Sequence, residues 1–282
     1  MNIASYVSFV VFSLAAIALW LPRRYFVVMM AVAISVAWYQ GLITIAGIAW
    51  LLLLACLCFQ FRRARRLQRL LAGCGVMVLA AALGMHLLPG FHPVSLVDSI
   101  VLSAGAAPFK LQLSPDKILA GLIVAAIVWQ YYIHSTEVLT ATIRQATPLI
   151  VINVTILIAL SIGIGYLNFA PKFNSLFFVW AVHNLLFTCI GEEIFFRGFI
   201  QNELAMQLCD VRYGQWLALT ISSALFGLVH FGGGPAYVLL AAIAGLGYGY
   251  IFMKTQRIEM SILAHFMMNA THFLLFAYPR LQ

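Results

Sequence analysis

The chain has 282 residues, 64% hydrophobic and 9% charged, with a mean hydropathy of +1.01 and a formal net charge of +8. Continuous apolar runs of about 17–25 residues exclude a soluble globular domain and the short alternating segments of a β-barrel. The Lys and Arg residues fall between the apolar runs, so the positive charge signals membrane topology and not nucleic-acid binding.

In chain order, apolar runs are predicted over Ile3–Leu21, Tyr25–Tyr39 and Leu42–Phe59. A basic turn then carries Arg62, Arg63, Arg65, Arg66 and Arg69, and a fourth run follows over Leu70–Leu88. Pro89 to Lys117 breaks the pattern with Pro89, Gly90, Pro93, Pro108 and Pro115, and its middle, Ser99–Ala107, is expected to be a short interfacial or re-entrant piece. A fifth run covers Ile118–His134, an amphipathic connector Ser135–Pro148, and a sixth run Leu149–Phe169. The seventh starts near Leu176 and enters two glutamates, with Gly198–Cys209 continuing helically and Glu203 and Gln207 paired at i,i+4. Run eight is Trp216–His230, ended by the Gly232-Gly233-Gly234-Pro235 turn; runs nine and ten are Ala236–Met253 and Met260–Tyr278. The fold class is therefore all-α, a polytopic transmembrane helical bundle of about ten spans. With Arg23 and Arg24 on the cytoplasmic side, simple alternation gathers twelve of the sixteen Lys and Arg there, including the loop taken as 192–216. Lys110, Lys117, Lys172 and Arg280 fall on the other side.

Three groups of polar residues interrupt the apolar pattern, all in the last third of the chain. Glu192 and Glu193 hold two of only eight acidic positions, and Arg197 lies one helical turn beyond Glu193. His230 closes run eight. His265 and Asn269 share one face of run ten at i,i+4. A carboxylate at membrane depth costs about 2.5–3.5 kcal/mol on insertion scales, so an adjacent pair needs partners or a purpose. Arg197 is suited to hold Glu193, leaving Glu192 to activate water with His230. Attack on an amide builds an oxyanion, for which His265 and the Asn269 amide are suited donors. Convergence requires run eight to end short of the far surface, because simple alternation puts His230 at the end remote from the glutamates.

Each group also has a plainer role. Glu193–Arg197 serves equally as a structural ion pair, and His265 and Asn269 as interhelical hydrogen-bond donors. His86, His92, His134 and His183 are expected to be structural or interfacial, and the five cysteines to be buried small side chains without a disulfide framework. Gly245, Gly247 and Gly249 are expected to bring helices close together. No His-Glu-x-x-His, Glu-x-x-His or Gly-x-Ser-x-Gly motif occurs, and Asp98, Asp116 and Asp210 are expected in loops. A metal held by the two glutamates and two histidines is chemically possible, and no metal or other cofactor is favoured.

Glu192-Glu193-x-x-x-Arg197, Phe226-x-x-x-His230 and His265-x-x-x-Asn269, in that order, resemble the CAAX protease and bacteriocin-processing family (CPBP, Abi) of intramembrane glutamic endopeptidases. The resemblance spans roughly Pro115 to Tyr278, which divides the chain into an N-terminal transmembrane scaffold (1–114) and an intramembrane protease core (115–282). It implies a helical hydrolase with a catalytic cavity open to the cytosolic side and no catalytic metal. Glu192 and His230 would activate water, His265 and Asn269 would form the oxyanion site, and Glu193 and Arg197 would support them. The implied partners are membrane lipids and a membrane-associated peptide or protein substrate. The implied location is the plasma membrane of a prokaryote, as a multi-pass protein. A non-enzymatic membrane protein, either a peptide-binding immunity factor or a transporter-like protein, is the alternative.

Overall fold

A computed structural model describes residues 3–128, 132 and 135–279, apart from the side chain of Arg66. His134 and Arg280, both assigned from the sequence, lie outside the described residues. The chain is mostly helical. Its helices are α1 (Ile3–Ile17), α2 (Arg23–Tyr39), α3 (Ile45–Arg63), α4 (Arg66–Gly84), α5 (Pro115–Ala125), α6 (Thr136–Gly163), α7 (Leu176–Gln207), α8 (Gly214–Leu228), α9 (Pro235–Thr255) and α10 (Ile258–Leu275).

Six of the described helical segments are long and apolar enough to cross a membrane: Ile3–Trp20, Ile45–Arg63, Leu67–Gly84, Thr136–Gly163, Leu176–Gln207 and Pro235–Thr255. The expectation of about ten spans is not met by that measure. Run eight yields a helix of 15 residues, about 22 Å long, and run five a helix of 11 residues, both short of a hydrocarbon core of about 30 Å. The connector and run six are one helix of 28 residues with Pro148 inside it. Pro148 removes one backbone donor, and the flanking hydrophobic turns carry the helix through.

The mostly helical fold agrees with the expected helical bundle, and the break at Pro89–Lys117 adds one small sheet to it. Val94–Ile100 (β1) and Phe109–Leu113 (β2) pair in a two-stranded sheet, in place of a re-entrant piece at Ser99–Ala107. In β2, Phe109-Lys110-Leu111-Gln112-Leu113 alternates apolar and polar with period two and its burial alternates with it, which suits a strand. Asp98 accordingly lies in a strand, and Asp116 in the first turn of α5, not in loops.

The chain forms two compact units. The first comprises Met1–Ile100, Lys110–Trp129 and Leu185–Glu192. Within it, α5 supplies Ile118, Leu119, Leu122 and Val124 to the core and packs on α3 and α4, while α1 stacks Phe9 edge-on against Phe187 of α7. Asp116 is buried and accepts from the backbone N–H of Lys117 at 2.9 Å, with His86 Nδ1 at 2.8 Å from its other oxygen. That pairing gives His86 the structural role expected of it.

The second unit comprises Val101–Phe109, Gln130–Asn184 and Glu193–Gln282, so residues of α7 are divided between the two units. Here α9 is central and packs against α6, α8 and α10. Trp180 stacks on Phe273 with ring centroids 4.3 Å apart and donates to the Tyr278 hydroxyl at 3.3 Å. The glycines of α9 have the close-packing role expected of them. A Cβ on Gly247 would lie 1.6 Å from Asn153 Nδ2 of α6, and one on Gly249 would lie 2.4 Å from Gln201 Oε1 of α7. Among the five cysteines, Cys58 and Cys189 are buried, whereas Cys56, Cys74 and Cys209 are exposed, contrary to the expectation that all would be packed inside.

Candidate active site

Helix α7 runs unbroken for 32 residues, about 48 Å, so the glutamates sit near its middle and not at the mouth of a 192–216 loop. It is wound more widely than an α-helix over Asn184–Cys189 and again over Ile194–Gln201, with a single α-turn, Ile190–Glu193, between them. Such π-type turns are rare and concentrate at functional sites, because the extra residue per turn re-aims the side chains beside it. Further along α7, Gln207 Nε2 donates to Glu203 at 2.9 Å, the i,i+4 pair read from the sequence.

In the second unit, Glu193 and Arg197 are fully buried. Arg197 Nη1 donates to Glu193 Oε1 at 3.1 Å, and Nη2 donates to the Gly245 carbonyl of α9 at 3.1 Å. Gly245 fits closely there: a Cβ would approach that guanidinium nitrogen to 3.1 Å and the Ser223 Cα of α8 to the same distance, so the neighbours would have to give by a few tenths of an ångström. One turn further, Gln201 Nε2 repeats the pattern on the Gly249 carbonyl at 2.9 Å. The guanidinium also lies over the Phe226 ring, 4.3 Å from its centroid, and a desolvated cation on an aromatic face gains about 2 kcal/mol.

His265 of α10 joins this pair. Its Nδ1 is 2.8 Å from the same Glu193 Oε1, its ring stacks on Tyr248 at 4.9 Å and 14°, and the edge of Phe226 meets it at 5.7 Å. One carboxylate oxygen thus serves Arg197 and His265 together. Because a carboxylate accepts, Nδ1 carries the proton in this contact and Nε2 points away from Glu193.

His230 stands just beyond the C-terminal end of α8. Its Nδ1 donates to the Phe226 carbonyl at 2.7 Å, which likewise fixes the tautomer, and its ring packs between Phe226 at 4.7 Å and Tyr237 at 5.3 Å. Phe226 therefore touches Arg197, His265 and His230. The shortness of α8, required by the sequence argument, is what keeps His230 one aromatic ring away from the Glu193 cluster. Asn269, one turn after His265, donates from Nδ2 to Asn184 Oδ1 on α7 at 3.2 Å.

Glu192 belongs to the first unit, where Lys117 Nζ of α5 lies 2.9 Å from its Oε1. This corrects the sequence reading in two respects. The side chain that appeared to await a partner already has a cation. Lys117 is also not remote from Glu192, as simple alternation of spans had it, because the two are paired.

Four contributors escaped sequence reasoning: Lys117 was assigned as a topology charge, Phe226 served only as a motif position, and Asn184 and Tyr248 were given no role. Only Asn184 left a usable signal, since a buried amide within an apolar run needs a partner.

A family model described as Type II CAAX prenyl endopeptidase Rce1-like matches residues 173–271, and that stretch carries an Rce1-like domain. The match contains Glu192, Glu193, Arg197, His230, His265 and Asn269 and does not reach Lys117. No curated protein and no solved structure matches the chain.

Proposed function

We propose, from the Rce1-like domain at 173–271, that this protein is an intramembrane endopeptidase of glutamic type that hydrolyses a peptide bond of a membrane-associated protein or peptide. The family supports a CAAX-protease-type hydrolase, and the six apolar helices fit an integral membrane protein, which we assign to the plasma membrane of a prokaryote. The observation that carries the reading is the buried Glu193 carboxylate shared by Arg197 and His265, in the matched stretch of an otherwise apolar bundle. Ion pairs this deep cost several kcal/mol in desolvation per ion, so a site that retains one has a use for its geometry.

In the proposed reaction Glu192 accepts a proton from water, and His230, its tautomer fixed by the Phe226 carbonyl, is the histidine that the resemblance assigns to assist it. The resulting hydroxide adds to the scissile carbonyl carbon. Negative charge then gathers on the carbonyl oxygen, which His265 Nε2 and the Asn269 amide stabilise. Glu193, clamped by Arg197, holds the His265 ring from behind, and Asn184 fixes the plane of the Asn269 amide. Collapse expels the amine, protonated by the proton that Glu192 took from water, and leaves a carboxylic acid, whose own proton then passes to the amine to give a carboxylate and an ammonium. No metal is needed in this sequence of steps. Among the described residues, no three His, Cys, Asp or Glu side chains are grouped to hold a metal ion.

Glu192→Gln tests the reading. The variant is expected to insert and fold like wild type and to lose cleavage of an internally quenched farnesylated peptide ending in a CaaX sequence. A substrate accumulating uncut in membranes of the variant, found by comparative proteomics, identifies the natural target. Cleavage retained in Glu192→Gln refutes the mechanism, and activity lost to a chelator and restored by added metal replaces it with a metal-dependent one.

A further inference from the structure

Helices α3 and α4 form a hairpin within the first unit, and both are long and apolar enough to cross a membrane. The turn between them, Ala64 and Arg65, therefore belongs at a membrane surface. Two glycines of α4 let the helices pack closely: a Cβ on Gly75 would lie 3.1 Å from Leu57 Cδ2, and one on Gly73 would lie 3.2 Å from the Phe61 ring. Near the turn the pair borders an open groove of about 620 Å³, within the roughly 300–1,000 Å³ usual for small-ligand sites.

The groove changes character along its length. Leu57, Leu71 and Ala72 make an apolar wall, whereas Gln60, Arg63 and Gln68, nearer the turn, are polar. At a rise of about 1.5 Å per residue, Leu57 lies about 9 Å deeper along α3 than Arg63. Apolar within and polar at the surface is also the order of acyl chain and headgroup in a phospholipid.

The charge around the groove has one sign. Five of the eight residues from Arg62 to Arg69 are arginine, and no Asp or Glu precedes Asp98 in the chain. Arg62 has a role within the fold, since its Nη1 donates to the Ala126 carbonyl at the end of α5 at 3.0 Å. Arg63 is held differently: its guanidinium lies over the Phe59 ring, 4.3 Å from the centroid. Stacking engages the face of a guanidinium and leaves its in-plane N–H fork suited to an oxyanion. Arg65 and Arg69 add to the positive field at the start of α4, where the helix dipole already disfavours cations and no acidic residue offsets them. A topology signal needs only the number of basic residues, not a groove that joins one of them to an apolar wall.

We propose that this groove binds one anionic glycerophospholipid, with its phosphate on Arg63 and the upper part of an acyl chain against Leu57 and Leu71. Gln60 and Gln68, which both donate and accept, match the ester carbonyls and hydroxyls of the headgroup region. Soluble phosphate matches the charge and not the apolar wall. A zwitterionic phospholipid matches the wall and brings a cation of its own towards the arginines. The site lies outside the stretch matched by the family model and does not depend on the protease reading.

Native mass spectrometry of the full chain, released from nanodiscs of equimolar phosphatidylglycerol and phosphatidylcholine, tests the proposal by counting retained lipid. Wild type is expected to retain one phosphatidylglycerol, preferred over phosphatidylcholine by about tenfold or more. Arg63→Gln is expected to abolish most of that preference. Ala64→Trp, which narrows the groove without removing a charge, is expected to do the same, and it tests the site even where Arg63→Gln disturbs the turn. Arg23→Gln with Arg24→Gln removes two charges outside the groove and is expected to leave the preference intact. Equal retention of the two lipids by wild type overturns the proposal, as does a preference unchanged in both groove variants. An equal loss in Arg23→Gln with Arg24→Gln also overturns it, because it marks general attraction to a basic surface. Displacement of the retained lipid by an equal concentration of inorganic phosphate overturns it in favour of a site for a soluble anion.

Discussion

Removing the guanidinium from Arg197 tests how the buried cluster is held together. Arg197→Met keeps most of the side-chain volume, so the change is mainly one of charge. It strands the Glu193 carboxylate, 0% exposed, with His265 as its remaining partner, and it also ends the contacts with the Gly245 carbonyl and the Phe226 ring. Breaking a buried pair by removing one member costs about 3–5 kcal/mol, a large part of a net stability of about 5–15 kcal/mol. Glu193→Gln alone leaves a buried guanidinium and is expected to fall in the same range. In Arg197→Met with Glu193→Gln neither charge is left stranded, so the double variant is expected to be less destabilised than the sum of the singles by about 2–3 kcal/mol. Equilibrium unfolding in mixed micelles, followed by near-ultraviolet circular dichroism, measures all four corners of the cycle. Additivity to within about 0.5 kcal/mol refutes the reasoning, because it means that the two groups do not share one desolvated interaction.

Asn269→Ala removes a proposed oxyanion donor and the partner of Asn184, and is expected to lower kcat about 10²–10³-fold with little change in KM, measured by steady-state cleavage of the quenched peptide. Gly247→Ala forces a methyl group into Asn153 and is expected to destabilise by about 1–3 kcal/mol. Adding Asn153→Ala opens that space, so the double variant is expected to unfold at a higher denaturant concentration than Gly247→Ala alone.

Much of the candidate site stands out in the primary structure because charge is rare in this chain. Against an apolar background, Glu192, Glu193, Arg197, His230, His265 and Asn269 stand out, and the i,i+4 spacings of Glu193–Arg197 and Glu203–Gln207 predict contacts that form at 3.1 and 2.9 Å. The glycines of α9 were legible as a packing face, though not as the acceptors of Arg197 and Gln201, since a backbone carbonyl leaves no mark in sequence.

Helix lengths and strands were less legible, for a physical reason. Hydropathy reports how apolar a stretch is and not where its hydrogen-bond ladder ends. Pro148 looked like a boundary and is inside a helix, and the glutamates looked like the end of a span and are near its middle. The break at Pro89–Lys117 read as irregular chain because its strands are short and half-polar.

By itself, then, the sequence determined that the chain is a helical membrane protein with a few charged and polar groups too costly to be incidental. Tertiary structure alone decided which group meets which. The face shared by Lys117 and Gly121 on α5 brings an ammonium to Glu192 from 75 residues away. Packing of α8, α9 and α10 about Phe226 and Gly245 sets Arg197 and His265 on one oxygen of Glu193. Local spacing fixes contacts within one helical turn, whereas a pairing between helices depends on how closely their backbones approach, and that distance is set by the packed whole.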